Sequence, residues 1–374
     1  MRVLYLSKAL TVASYRDKLR EMSQHLEVTA VIPERWGPHP PEEGDADSHP
    51  VTPWPVWMHA HNHLHVYVRP SALLRRFDPD LVHVDEEPYS AVTFQMARVC
   101  RSAGVPVVFF AWQNIDKRIP PPFGMMRRFV FNTCAGAIAG TETAAGVLRG
   151  NGCPEPIAVI PQFGVDTGRF TFDLDSGMEV RSRLGLPSGA FIVGFAGRLV
   201  PEKGIGVLLR AVAETQAVRL LILGNGPEHG RISREADDLG IADRTLLVGG
   251  AASLEMPAWL NAMDVLVLPS LSTPRWVEQF GRILIEAMAC GVPVVASDSG
   301  EMLNVVGDAG LIVPEGDAQA LARALAALAE SPERRRQLGE AGRVRVCERY
   351  AQRPIAEETV AFYERVLSMR SETA

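Results

Sequence analysis

Two acidic and two basic residues in the second half of the chain carry the clearest chemical pattern. Glu278 stands just before the apolar run GRILIEAMA, and Glu286 lies inside it among Ile283, Leu284, Ile285 and Met288. A carboxylate in so apolar a setting needs a partner. A sugar or ribose hydroxyl is a suitable one, because a carboxylate accepts hydroxyl hydrogens. The start of that run reads as a helix N-terminus, offering amides near Phe280, Gly281, Arg282 and Ile283 to an anion. Arg198 and Lys203 flank a Pro-Glu turn in GFAGRLVPEKG, so both could point into one site. Charge-assisted bonds from them to a diphosphate would contribute about 1.5–3 kcal/mol each. The competing reading makes the basic pair and Glu278 solvated and bonds Glu286 to protein. Glycines cluster in the same places, at Gly197 and in LGNGPE with Gly224, Asn225 and Gly226. There they let the backbone approach a phosphate, although such loops are more often plain turns.

The elements that hold these residues alternate between strand and helix. Strands are expected at 3–7, 28–33, 81–84, 105–111 and 136–139, with helices at 14–25 and 90–103 between them. A Pro-, Trp- and His-rich stretch from Glu34 to about Leu64 interrupts this order, and IAVIPQFGVD at 157–166 closes the half. The soft stretch from Asp166 to Gly189 reads as the domain boundary. The pattern then restarts, with strands at 191–197, 219–224, 245–249, 264–270, 292–298 and 311–314 and helices at 204–216, 228–239, 255–262 and 281–290. The fold expected is α/β, with parallel sheets covered on both faces. Ligands of such sheets bind beyond the carboxyl ends of the strands, where the glycines and charges sit.

Composition narrows the function. Net charge is −6, from 38 basic and 44 acidic residues, with no basic stripe, which argues against nucleic acid as a partner. Arg127-Arg128 is a candidate for weak peripheral membrane contact, set against an ordinary solvated helix face. The five cysteines are odd in number and lack a CxxC pair, so neither disulfides nor a zinc site is expected, and a cytoplasmic location follows. MRVLYLSKAL reads as a first strand rather than a signal peptide, and no apolar run reaches the ~18 residues of a membrane span.

The second half is similar to family 4 of the retaining GT-B glycosyltransferases. The matching text is GRLVPEKG, LGNGPE, VLVLPS and above all EQFGRILIEAMACGVPVVASDSG, in that order, with IPQFGVDTGRF at the expected hinge. The resemblance implies a GT-B fold, two Rossmann-like domains facing each other across a deep interdomain cleft. It implies an N-terminal acceptor-binding domain at 1–167, a C-terminal nucleotide-sugar-binding domain at 168–350 and a final helix at 351–374 that could pack back on the first domain. Arg198 and Lys203 would bind the donor diphosphate, Glu278 the donor sugar and Glu286 the ribose, with Gly281 and its neighbours as the amide bed. No metal or cofactor is expected beyond the nucleoside-diphosphate-sugar donor, and the partner is a hydroxyl-bearing acceptor.

The first half departs from the family text. SKALTVASYRDK lacks a glycine after the first strand, and Gln113 in WQN stands where many members have His. Gln is no general base, but it can orient a hydroxyl. Glu86, Glu87, Gln113 and Asn114 are the acceptor-side candidates; the carboxylates' competing role is capping the next helix. Trp54, Trp57, Trp112 and Tyr89 offer either an apolar platform or core packing. His59, His61, His63 and His65 would share one face of a strand, a metal-site reading set against a structural loop. Asp166 reads as structural. The other functions carried forward are a sugar-nucleotide epimerase, a phosphorylase, or a non-catalytic nucleotide-sugar-binding subunit. A dinucleotide oxidoreductase is disfavoured because no GxGxxG turn follows the first strand of either half.

Overall fold

The computed structural model describes residues 1–38, 40–42, 49–216 and 218–371. Two compact units emerge: Met1–Gly164 together with Gln352–Ala374, and Val165–Ala351. The first contains β1 (Arg2–Leu6), α1 (Asp17–Met22), β2 (Glu27–Pro33), β3 (Val51–Trp54), β4 (Val56–Trp57), β5 (Val66–Tyr67), α2 (Pro70–Phe77), β6 (Leu81–Val84), α3 (Ala91–Ala103), β7 (Val107–Ala111), α4 (Phe123–Phe131), β8 (Gly136–Ala139), α5 (Glu142–Gly150) and β9 (Ile157–Val159). Its parallel sheet has the order β3-β2-β1-β6-β7-β8-β9, and β4 and β5 form a separate antiparallel pair. Strands such as LVHV and VVFFA are buried along their whole length, as helices on both faces of a parallel sheet require.

The second unit runs through α6 (Leu174–Arg183), β10 (Phe191–Ala196), α7 (Ile205–Glu214), β11 (Val218–Leu223), α8 (His229–Asp238), β12 (Thr245–Val248), α9 (Met256–Asn261), β13 (Val265–Leu268), α10 (Arg282–Ala289), β14 (Val294–Ser297), α11 (Met302–Val306), β15 (Leu311–Val313), α12 (Ala318–Glu330) and α13 (Pro332–Arg349). Its sheet is also parallel, in the order β12-β11-β10-β13-β14-β15. In each sheet the order reverses beside the first strand, between β1 and β6 and between β10 and β13. The connections on the two sides leave in opposite directions there, which opens a crevice at the carboxyl ends.

Four local expectations change. The helix expected at 14–25 is shorter, α1 over Asp17–Met22, and two 3₁₀ turns, Ala9–Thr11 and Ala13–Tyr15, precede it. The Pro-rich stretch supplies an edge strand, β3, whose Pro53 is tolerated because only one side of an edge strand is paired. Residues 39 and 43–48 of that stretch lie outside the described residues. The soft stretch at 166–189 contains α6, capped by the Asp173 carboxylate, which accepts from Ser176 N–H at 3.1 Å. His59, His61 and His63 fall in turns between β4 and β5 rather than along one strand face, and no group of three or more His, Cys, Asp or Glu among the described residues could hold a metal ion. All five cysteines are free thiols. No helix among the described residues is long and apolar enough to cross a membrane.

The last helix, α14 (Gln352–Ser371), belongs to the first unit and packs on α1. Ile355, Ala356, Tyr363 and Val366 join Leu19 and Met22 in one buried cluster. Inside the sheet His83 stacks on Tyr5, ring centroids 4.2 Å apart, and its Nδ1 shares a 2.6 Å hydrogen bond with the Tyr363 hydroxyl. Burial pulls the His83 pKa well below the usual histidine range, so the ring is neutral. Tyr363→Phe removes the only hydrogen-bond partner described for this buried ring and should lower unfolding free energy by about 1–3 kcal/mol, read by urea denaturation. An unchanged midpoint would remove His83–Tyr363 from the forces seating α14.

Candidate functional site

The loops after β10 and β13 meet at the second switch point. Lys203 ends a 3₁₀ turn, Pro201–Lys203, and Gly204 follows at φ 66°, a left-handed conformation that glycine adopts without steric cost. A Cβ on Gly204 would lie 1.9 Å from the Pro269 carbonyl oxygen, so this turn is pressed against the end of β13. Leu271 N–H donates to Glu202 O at 2.8 Å and fixes the same approach. The Lys203 ammonium consequently reaches Glu278, donating to Oε2 at 2.5 Å, and stands 5.4 Å from the centre of a Trp276 ring. Ser270 Oγ donates to the same carboxylate oxygen at 2.8 Å, and Ser297 Oγ donates to Ser270 O at 2.5 Å. Glu278 is only 7% exposed, and its Oε1 takes part in neither bond.

A second charged pair sits on α10. Gly281 caps this helix at φ 72°, and Arg282 Nε donates to Glu286 Oε1 at 2.9 Å. Burial raises the Glu286 pKa, and the charges of Arg282 and Arg169 oppose the rise. The partner that the apolar setting demanded is therefore present in the protein itself, one turn earlier on the helix. Glu286 also lines a hollow of about 480 Å³ with Gly197, Arg198, Gly224, Asn225 and Ile283. Arg198 is exposed and lies at the rim of this hollow.

The remaining sequence candidates have structural duties. A Cβ on Gly226 would lie 2.3 Å from Leu199 O, so that glycine allows the two loops to touch. Phe280 packs against the core with its ring 5.6 Å from Tyr350, edge to face. Asp166 accepts from the Gly168 and Arg169 amides at 2.9 and 3.2 Å and shapes a turn. Sequence reading passed over Ser270, Trp276, Gly250 and Ser253, the last two of which line the hollow. The glycine pair after β12 was a usable signal for these two.

The first unit repeats the arrangement at its own switch point. Lys8, two residues after β1, donates to Glu86 Oε2 at 2.6 Å. Ser7 Oγ and Gln162 Nε2 donate to Asp85 Oδ2 at 2.6 and 2.8 Å. Glu87 is not a cap for α3: its Oε1 accepts from the Trp112 and Gln113 amides at 2.8 and 3.0 Å and so holds the loop after β7. Burial pushes Glu86 and Glu87 up to about 7, against the lowering influence of Lys8 on both. Asp85 Oδ1, Glu86 Oε1, Glu87 Oε2 and Asn114 Nδ2 are buried without a hydrogen-bond partner. Three acceptor oxygens without donors suit a ligand that brings hydroxyl or ammonium hydrogens. Gln113 Nε2 is committed to Ile115 O at 2.9 Å, which places its amide in a local turn. Trp54 and Trp112 donate to Val68 O and Gln162 Oε1, both at 2.7 Å, and are packing residues, whereas Trp57 is 68% exposed. Tyr89 lies 5.0 Å from His63.

Two family models match the chain in sequence order: Glycosyltransferase Family 4 over residues 14–169 and Glycosyl transferases group 1 over residues 178–345. The chain is 37% identical over 188 residues to a GDP-mannose-dependent α-(1-6)-phosphatidylinositol monomannoside mannosyltransferase of Mycolicibacterium smegmatis, covering 48% of this chain and 49% of that protein. It is 28% identical over 315 residues to a 2-deoxystreptamine glucosyltransferase of Streptomyces kanamyceticus, covering 79% and 80%. The chain spans about half the length of the first of these relatives, 49%, and about half of two D-inositol 3-phosphate glycosyltransferases that it also matches, 51% and 52%. The crystal structure of HepE from Anabaena in complex with UDP has the same fold, with a TM-score of 0.76 at 18% identity over 97% of this chain and 100% of that one.

The carboxyl group of Glu87 provides a pH test. Its pKa is raised from 4.5 to about 7 in the folded protein, so the native state holds more protons than the unfolded one between these values. The stabilisation this gives is complete below the unfolded pKa and is lost as pH rises through about 7. Glu87→Gln fixes the neutral form. Its stability should fall less than that of the parent between those pH values in urea titrations, and parallel curves would refute the burial.

Proposed function

Because the chain belongs to the family 4 glycosyltransferases of GT-B fold, we propose that it transfers a sugar from a nucleoside-diphosphate-sugar to a hydroxyl of an acceptor, with retention of anomeric configuration. The observation that carries this reading is the Lys203–Glu278 pair at the mouth of the second sheet. Arg198 receives the diphosphate at the hollow's rim, where the glycine backbone at Gly197 and Gly224 allows close approach. The Lys203 ammonium has further hydrogens for the β-phosphate, and Glu278 Oε1 is open to a sugar hydroxyl. Glu286 takes a ribose hydroxyl while Arg282 balances its charge.

In the reaction the bond between the anomeric carbon and the β-phosphate oxygen breaks, and a bond to the acceptor oxygen forms on the same face. The acceptor proton leaves to an oxygen of the departing diphosphate. Lys203 and Arg198 hold the negative charge that develops there, with no proton transfer asked of Gln113. The acceptor belongs to the first unit, where Glu86, Glu87 and Asn114 present unpartnered polar atoms to its hydroxyls. Five free thiols suit a cytoplasmic setting.

Lys203→Met should lower turnover about 100-fold or more with the fold intact by circular dichroism, as loss of one charge-stabilising donor does elsewhere. Glu278→Gln should do likewise. Product detection by mass spectrometry over a panel of nucleotide-sugars and acceptors is the measurement, and near-parental turnover in both variants defeats the assignment. Glu286→Ala should weaken donor binding about 10- to 100-fold in calorimetric titration, with little change in the rate of the bound complex. An unchanged donor dissociation constant removes Glu286 from the site.

A further inference from the structure

Away from both switch points, α2, α3 and α4 border a groove of about 700 Å³. Its floor is apolar, with Val66, Leu74, Phe94, Val99 and Met126, and Arg75 and Arg98 stand at its edge. The three helices carry Arg75, Arg76, Arg98, Arg101, Arg127 and Arg128 and not one Asp or Glu. In a chain of net charge −6 this is a marked local excess of positive charge. None of the six forms an ion pair among the described residues. Instead Arg98 lies over Phe94, Arg101 over Phe129 and Arg127 over Phe131, at 5.7, 5.9 and 5.9 Å. Rings hold the cations in place without neutralising them.

Large apolar side chains are exposed on the same part of the unit. Met125, beside Met126 on α4, is 66% exposed, and Trp57 and Met58 are 68% and 51% exposed. Trp57 pairs directly with Val66 across the β4–β5 ladder, so both side chains stand on one face of that ribbon, and Val66 lines the groove. Exposed Trp and Met beside free arginines would be costly against water alone. They match a surface with anionic headgroups above an apolar layer, where Trp and Arg settle at the boundary.

We propose that the α2–α4 face docks on an anionic phospholipid bilayer, with Trp57 and Met125 entering the headgroup boundary and the six arginines facing lipid phosphates. The groove runs along α3 to Ala91, whose N–H donates to His63 O at 2.9 Å and which lies four residues beyond Glu87. The inference is independent of the transfer reaction and is tested without it.

Full-length protein is sedimented with vesicles of phosphatidylcholine alone and of phosphatidylcholine with phosphatidylglycerol. Each arginine near such a surface contributes about fivefold to partitioning. The protein should therefore favour the anionic vesicles, lose that preference in high salt, and bind at least about 100-fold less as Arg98→Glu/Arg101→Glu/Arg128→Glu. If the triple variant misfolds, Arg98→Glu alone, at an exposed residue, should give a weaker but clear loss. Lipids brominated in the upper acyl chain should quench a fraction of the tryptophan fluorescence that Trp57→Phe removes. Equal sedimentation with both vesicles, undiminished binding by the variants, or self-association that depends on these arginines without any vesicle binding would each overturn the proposal.

Discussion

A parallel sheet whose strand order reverses must leave a gap between two outgoing loops, and this constraint decides where the chemistry of this chain can sit. In the second unit the gap lies between β10 and β13, and in the first between β1 and β6. Each holds a lysine from the loop after the first strand and a glutamate from the loop after the strand beyond the reversal. Lys203 meets Glu278 at 2.5 Å and Lys8 meets Glu86 at 2.6 Å. Largely buried ion pairs of this kind add little net stability, because desolvating both charges offsets most of their attraction. Their place where the strand order of each sheet reverses is better understood as polar groups held ready for a ligand.

The two openings are nevertheless built differently. Around Glu278, one hydroxyl and an ammonium converge on one oxygen and leave the other outside both bonds, and glycine backbone contributes to the wall of the neighbouring hollow. That suits a ligand with both anionic and hydroxyl groups. Around Glu86 the chain stacks three carboxyl groups in succession, Asp85, Glu86 and Glu87, each with a buried oxygen lacking a donor. Protein amides and Lys8 compensate only part of the burial. Burial consequently raises the pKa of Glu86 and Glu87 to about 7, and a polyhydroxylated ligand would complete their hydrogen bonds.

Most of the sheet architecture was legible in the sequence, because buried parallel strands are continuous apolar runs bounded by glycine and charge. FIVGFA and RLLIL needed only trimming by a residue or so. The losses have physical causes. VTPW contains a proline and little alternation, so nothing local marks β3; its partner, β2, supplies the pairing. LDSGMEVRSR lacks a strong apolar stripe, and α6 rests on a cap at Asp173 and on packing against α9. At the site, the types and spacing of Glu278, Glu286, Arg198 and Lys203 were readable. The pairing of Arg282 with Glu286 spans one helical turn, and its spacing was there to be read. The pairing of Lys203 with Glu278 was not, because an ion pair between loops depends on the approach of β13 to Gly204. Lys8 was hidden for the same reason: its partner lies 78 positions away.

The chain leaves and re-enters the first unit at adjacent points. Gln352 exchanges two hydrogen bonds with Gly164, at 3.1 and 3.0 Å, and Val165 forms a bridge with Ala351. The first sheet thus receives α14, and with it the hydroxyl that meets His83, only after the whole second unit has been translated. Domains ordinarily mature in the order of synthesis. Here the order is inverted: the second unit can close its own core on the ribosome, while the first sheet keeps the face that α14 covers open until Gln352–Ser371 has been translated. A chaperone that shields that face would stay on the first unit while the second one folds.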